Sequence, residues 1–480
     1  MAESLKQKAT QAVMWSAIER FSVQGIQFIV SIIIARLLMP SEYGLIAMLS
    51  IFLAVAQTFI DSGFSNALIQ KQNRSETDYS TVFFFNLFVG CFFYLILFLS
   101  SPYIAQFYHE PLLESITKVV ALNLIVSSLG IVQRAKLSIV LNFRLQAVSA
   151  LISVIISGIV GVTMAYKGYG AWALVIQSLL NNFLNVILLW AVARWYPRLV
   201  FSWNSFRELF AFGSKLLLSG LLHTLYTNLY SLFIGKKMSS ADLGIYNRSY
   251  TLAIFPSGNI TDVLHKAMFP VLCSMQDDEE ELERYFFKYL RQACYIVFPL
   301  MIGLASLANP FIETVLSVRW MDSAPILQIL AFAYMWDPVM RINNHFLYAR
   351  GRTDYTLKAE IIKKIVAFSI LILTISMGLY IIALGVVLYS LIDIFIITRF
   401  VRRVSRITLR KELKALFPIW LLSVGMGIVV YVVTSLFSLP YVKLIVGVPL
   451  GALIYYIISY WFRFEELKFL QNMVFKKSKI

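Results

Sequence analysis

Charge is scarce in this chain: 14% of its residues are Asp, Glu, Lys or Arg, where ordinary soluble domains carry about 25%. Long polar stretches are missing too. The apolar runs are separated mostly by fewer than about fifteen polar residues, which excludes a soluble domain standing apart from the membrane. Cysteine is nearly absent. Cys91, Cys273 and Cys294 each sit in apolar sequence, odd in number and without CxxC spacing, which excludes a disulfide framework and assigns them to packing. No GxxxxGK[ST] loop is present, so P-loop ATP hydrolysis is excluded. No DxD-like carboxylate pair stands in a sizeable external loop, as a membrane glycosyltransferase or polymerase would need. The four histidines are isolated from one another in sequence and suggest no metal site, and no cofactor motif stands out. The start, MAESLKQKATQ, is polar, and the apolar run after it is too long for a signal-peptide core, so no cleaved leader is expected.

What is present in excess is apolar sequence, 59% of the 480 residues. The sequence predicts an all-α, polytopic membrane protein. Breaking it at charged, Gly and Pro clusters gives about fourteen candidate spans, roughly 13–37, 44–69, 79–100, 113–137, 147–166, 171–195, 209–235, 244–269, 286–308, 323–349, 359–377, 379–399, 416–437 and 441–462. With the N-terminus inside, the cytoplasmic ends hold Lys6, Lys8, Lys71, Arg74, Arg134, Lys136, the Arg350–Lys364 group and the Arg399–Lys414 group. The opposite loops hold few basic residues. Both termini are therefore expected in the cytoplasm, which an even number of spans satisfies. The net charge of +16 reads as this orientation bias and a grip on anionic membrane lipids, and does not point to nucleic acid. The acidic stretch QDDEEELER, residues 276–284, reads as a solvated loop.

An internal repeat appears at an offset of 200 residues. In MPSEYGLIAM and SSADLGIYNR, Glu42 matches Asp242, Gly44 matches Gly244 and Leu45 matches Ile245. Gln24, Gln27 and Ser31 line up with Thr224, Thr227 and Ser231. This suggests two pseudo-repeated six-helix bundles, 1–200 and 201–400, around a central cavity, followed by two further spans and a basic tail in 401–480. The first span carries Ser16, Arg20, Gln24, Gln27 and Ser31 within about 80° of one another on a helix. The second carries Ser50, Gln57, Asp61 and Ser65, the seventh His223, Thr224, Thr227, Asn228 and Ser231, and the eighth Arg248, Thr251, Asn259, Asp262 and Lys266. Such faces suit either interhelical hydrogen bonding or a wet chamber.

Ions inside the spans are more telling. A charge at mid-bilayer costs roughly 2.5–3.5 kcal/mol even on insertion scales, so Arg20, Asp61, Arg248, Asp337, Arg341 and Asp393 must face protein or water. Asp337 and Arg341 stand at i, i+4 and are expected to form a structural ion pair. Asp262, His265 and Lys266, one helix length past Gly244, either snorkel at the cytoplasmic rim or line a cavity open to the cytoplasm. If these groups line a cavity, its basic members, Arg20, Arg248, Lys266 and Lys215, suit a phosphate or diphosphate. Gln24, Gln27, Gln57, Thr227, Asn228, Asn259 and His265 suit sugar hydroxyls.

The segments TQAVMWSAIERFSVQGIQFIVSIIIARLLMPSEYGLIAML, FIDSGFSNALIQKQ, FSWNSFRELFAFGSKLLLSG, MSSADLGIYNRSYTLAIFPSGNITDVLHKAMFPVL and YARGRTDYTLKAEI, in this order, resemble polysaccharide-unit flippases of the colanic-acid, teichuronic-acid and O-antigen (Wzx-like) type. These belong to the multidrug/oligosaccharidyl-lipid/polysaccharide exporter superfamily. The resemblance covers nearly the whole chain. It implies fourteen helices in two lobes and alternating access that moves an undecaprenyl-diphosphate-linked oligosaccharide to the outer leaflet of a bacterial cytoplasmic membrane. It also implies cavity-lining basic residues on the first and eighth spans, where Arg20, Arg248 and Lys266 lie, and a polysaccharide polymerase with chain-length machinery as partners. Asp61, Asp262 and Asp393 are the candidates for a coupling proton or sodium ion. A cation-coupled drug exporter of the same architecture is the first alternative and a membrane glycosyltransferase or polymerase the second; a purely structural scaffold is the least favoured.

Overall fold

The structure, a computed structural model, describes residues 22–61, 63–140, 142–275, 278–468 and 471, and among these it contains helices and turns but no strand. Two compact units divide the chain, residues 1–244 and 245–480. In the first, α1 (Ser22–Leu37) and α2 (Pro40–Asp61) are followed by the short α3 (Phe64–Gln70) and the long α4 (Glu76–Tyr108). Then come α5 (Leu112–Val120), α6 (Leu122–Ile139), α7 (Phe143–Tyr166), α8 (Ala171–Ala193) and α9 (Trp203–Lys237). Helix α10 (Ser240–Ser274) starts in the first unit and runs on into the second, which continues with α11 (Glu279–Ser306), α12 (Ala308–Phe311), α13 (Ser323–Tyr334) and α14 (Asp337–Ala349). It ends with α15 (Thr353–Thr374), α16 (Leu379–Val401), α17 (Leu409–Ser435) and α18 (Pro440–Trp461).

Among the described residues, nine helical stretches are long and apolar enough to cross a bilayer. Their outer faces are apolar. Phe88, Phe92, Leu95 and Leu99 recur at helical spacing on α4 and are 49–66% exposed, a stripe made for lipid. The helices start where the sequence supplies caps for backbone N–H groups that a membrane leaves no water to satisfy. Ser75 and Asp78 form a reciprocal capping box at α4, and Asn142, Ser202, Asp278 and Thr408 cap α7, α9, α11 and α17.

Three expected spans are broken. Gly63, at φ 71°, separates α2 from α3, a conformation that costs glycine least. Ala121 interrupts the expected span 113–137, giving α5 and α6. The expected span 323–349 divides at Met335 and Trp336, just before Pro338 at the start of α14. The carbonyl of Tyr334 that this break frees accepts a 2.9 Å hydrogen bond from the hydroxyl of Ser257, a buried residue of α10. Such a replacement partner is what a broken helix requires in lipid.

Residues 200 apart do the same work at the starts of α2 and α10. The Glu42 carboxylate accepts from the N–H of Met39 at 2.6 Å, and the Asp242 carboxylate accepts from the N–H of Ser239 at 3.1 Å. Within the first unit, a Cβ on Gly44 would overlap the Ser240 carbonyl, and one on Gly244 would overlap the Pro40 carbonyl. The two helix starts therefore touch backbone to backbone, which only glycine permits. We expect Gly44→Ala and Gly244→Ala each to cost about 1–3 kcal/mol, read as a lower thermal midpoint of the detergent-purified protein; an unchanged midpoint in both would contradict this contact.

Candidate functional site

The strongest concentration of buried chemistry lies in the second unit, where α10 and α14 run side by side in the same direction. Arg341 on α14 is the hub: its guanidinium lies 2.9 Å from Asp262 of α10 and 2.8 Å from Asp337, one turn earlier on its own helix. One turn further along, the rings of His265 and His345 stack with centroids 3.6 Å apart. Asp262 and His265 are spaced at i, i+3, and Arg341 and His345 at i, i+4, so successive turns of the two helices supply successive rungs. Tyr289 of α11 and Phe269 flank the histidine pair.

Two further buried groups complete this polar interior. Lys363 of α15, 2% exposed, sits 2.7 Å from Asp393 of α16 and 3.1 Å from Glu360. Glu412 of α17, 1% exposed, accepts from Asn343 of α14 at 3.3 Å and from Thr398 of α16 at 3.2 Å. Burying ions this deeply is tolerable only where each finds a counter-charge or hydrogen bonds. The two cations are placed alike: Lys363 faces Asp393 and Glu360, and Arg341 faces Asp262 and Asp337.

The first unit carries a milder track. Ser127 donates to the Gln57 amide oxygen at 3.0 Å, the Gln57 amide nitrogen donates to Asp61 at 3.0 Å, and the hydroxyls of Thr58 and Thr224 lie 2.9 Å apart. Thr227 and Asn228 spend hydrogen bonds on the backbone of their own helix, to the carbonyls of His223 and Thr224.

The residues expected to hold substrate are distributed unevenly. Arg20 lies outside the described residues, as does the side chain of Lys215. Lys266 is exposed, but Arg248, on the same helix, is packed in and only 7% exposed. Gln24 and Asn259 are half-buried, the latter donating to the Phe255 carbonyl at 2.8 Å, and Gln27 is exposed. Of the candidate coupling carboxylates, Asp61 is exposed, Asp262 is tied to Arg341 and Asp393 to Lys363. Three participants were not anticipated. Lys363 belongs to the Arg350–Lys364 basic group, and its ammonium is buried against Asp393. The one available signal was Asp393, a carboxylate in an apolar run that needed a partner. His345 and Glu412 gave no signal in sequence, because what they meet lies on other helices.

Beside this interior, α11, α17 and α18 enclose an apolar groove of about 560 Å³, lined among others by Pro299, Gly303, Met426, Gly447, Gly451 and Tyr455.

Nine helical stretches among the described residues, long and apolar enough to cross a bilayer and with matched ions buried among them, mark a multi-pass membrane protein. Solved structures carry the same fold: the lipid II flippase MurJ in an inward closed conformation superposes with a TM-score of 0.77 at 14% identity, covering 94% of this chain and 99% of that one. An inward-facing multidrug-resistance transporter of the MATE family gives 0.61 at 15% identity over 82% of this chain and 97% of its own. The chain belongs to the family described as polysaccharide biosynthesis protein, which matches residues 33–325. It is 26% identical to the teichuronic acid biosynthesis protein TuaB of Bacillus subtilis over 94% of this chain and 95% of that protein. Similarity to the lipopolysaccharide biosynthesis protein WzxC of Escherichia coli is 26% over 75% of this chain and 74% of WzxC, and to the succinoglycan biosynthesis transport protein ExoT of Rhizobium meliloti 25% over 68% and 66%.

The Lys363–Asp393 pair allows a double-mutant test. Lys363→Met should destabilise the protein by about 3–5 kcal/mol by stranding Asp393, and Lys363→Met with Asp393→Leu should recover most of that loss. Thermal midpoints in detergent report both; a single variant as stable as the parent would show that the ammonium is not a buried counter-ion.

Proposed function

We propose that this chain is a flippase for lipid-linked oligosaccharides in surface polysaccharide synthesis, a transporter and not an enzyme. Its substrate would be a polyprenyl-diphosphate-linked repeat unit, carried from the cytoplasmic to the outer leaflet of a bacterial inner membrane. The observation that carries this reading is the family match over residues 33–325, which runs from the end of α1 to the start of α13 and includes Arg248, Asp262 and Lys266.

In this reading the chain makes fourteen spans with both termini in the cytoplasm. Its first twelve form two related sets of six, 1–200 and 201–400, and 401–480 adds two spans and a basic tail. The identical roles of Glu42 and Asp242, and of Gly44 and Gly244, support the repeat. Arg20, Arg248, Lys266 and Lys215 hold the diphosphate, Lys266 as an accessible point charge and the arginines through planar forks. Gln24, Gln27, Gln57, Thr227, Asn228, Asn259 and His265 meet the sugars. The apolar groove of α11, α17 and α18 is large enough to receive part of an isoprenoid chain. Rocking of one set of helices against the other moves the headgroup across. A polymerase and chain-length machinery would receive the product.

Proton or sodium coupling, if transport is ion-driven, falls best to Asp262 among the three candidates. Asp262 stands 2.9 Å from the Arg341 guanidinium and one turn from the exposed Lys266 on the same helix, which places it beside the assigned diphosphate group.

Arg20→Ala and Lys266→Ala should reach the membrane at parental levels yet cause the lipid-linked repeat unit to accumulate in a deletion host, with surface polysaccharide reduced about tenfold or more, the loss of one charge-assisted contact. Full polysaccharide production by the double variant would remove the diphosphate assignment.

A further inference from the structure

The second unit ends several helices around a pocket that the flippase reading does not use. At the start of α11, the end of α14, the start of α15 and the turn after α16, five arginines converge, Arg350, Arg352, Arg402, Arg403 and Arg406, with Glu279 the single carboxylate lining the same space. The pocket is about 670 Å³. Basic residues at the end of a span are ordinarily solvated and splayed, because like charges repel and long side chains gain freedom in water.

Here several are held. Arg352 is clamped by both oxygens of Asp354, at 2.9 and 3.1 Å, with its guanidinium 3.8 Å from the centre of the Tyr355 ring. Arg403 lies 5.2 Å from the Phe400 ring, and the backbone N–H of Arg406 is fixed by Glu283. Stacking occupies a guanidinium's face and leaves its N–H edge for a bidentate acceptor. Among the described residues, Arg402, Arg403 and Arg406 are not held in ion pairs. Arg352 is already paired with Asp354, and Arg402, Arg403 and Arg406 line the same cavity outside any ion pair among the described residues, a cluster of positive forks that matches an acceptor with several negative oxygens.

The setting fixes the depth of the pocket. Val401 closes the apolar span α16, and Arg402 follows it directly. On α15, Leu357, Ile361 and Ile365 are 53–63% exposed and form a lipid-facing stripe that begins just beyond Arg352. The arginines therefore stand where hydrocarbon gives way to headgroups, within reach of both lipid phosphates and soluble ones.

We propose that this arginine pocket is a binding site for a phosphate-bearing polyanion, sharing no residue with the diphosphate site assigned above. Occupancy would tie α11, α14, α15 and α16 together at one end of the unit. Binding is measured without transport, so failure of this assignment and failure of the flippase reading are separable.

The test uses full-length protein in phosphatidylcholine nanodiscs, titrated with inorganic pyrophosphate, and in parallel nanodiscs of graded cardiolipin content, following the thermal midpoint. A saturable rise is expected with at least one probe, and Arg402→Gln with Arg403→Gln should weaken it about tenfold or more, since two charge-assisted forks are lost. Arg402→Lys with Arg403→Lys, which keeps the charge but not the fork, should fall between. A rise with pyrophosphate in neutral discs assigns a soluble phosphate compound; a rise with cardiolipin alone assigns a lipid headgroup. No saturable rise with either probe, or one that the glutamine pair leaves unchanged, overturns the proposal.

Discussion

The second unit is organised around the pairing of Arg341 with Asp262 and Asp337. A half-buried guanidinium loses part of its hydration, and paired carboxylates restore the interaction that it gives up. Its two carboxylates therefore fix the register of α10 against α14, and that register brings His265 onto His345 one turn later. The Lys363–Asp393 pair does the same for α15 and α16, and the ring of Asn343 and Thr398 around Glu412 draws α14, α16 and α17 together. Polar groups that would be liabilities if single become the features that specify how apolar helices of similar surface pack against one another.

The same constraint governs the backbone. Where α13 breaks before α14, the Tyr334 carbonyl is recovered by Ser257; where α2 and α10 begin, carboxylates at corresponding positions take the first free N–H groups. A transporter needs interruptions and close helix approaches of this kind, because they allow a bundle to have more than one arrangement without exposing polar backbone to lipid. Under the proposed function, the exposed Lys266 would be left for the cargo while Arg341 and Lys363 are matched internally.

Much of this was legible in the sequence, and what was not has a common cause. Among the described residues, helices occupy the apolar runs because backbone groups in lipid need partners within the chain. The Asp337–Arg341 spacing showed one rung of the ionic column, since i, i+4 geometry is local. The partner Asp262 is far away in sequence, and nothing in the pattern around either residue encodes that meeting. The burial of Lys363 was not legible because it adjoins a basic cluster at a span end, and burial is decided by which helix covers it. The break at Ala121 was invisible because the residues there are as apolar as their neighbours, whereas the one at Met335–Trp336 had a signal in Pro338. The polar helical face that carries Arg248 does not reveal its burial, which leaves 7% of it exposed.

The central claim, that the protein moves a diphosphate-bearing glycolipid between leaflets, is tested most directly in liposomes. Purified protein would be reconstituted with a fluorescent polyprenyl-diphosphate oligosaccharide, and the fraction reachable by an external quencher followed over time. The account predicts exchange between leaflets well above protein-free vesicles, and little movement of the same saccharide on a neutral lipid without the diphosphate. Rates equal to those of empty vesicles, or equal movement of the neutral analogue, would contradict it.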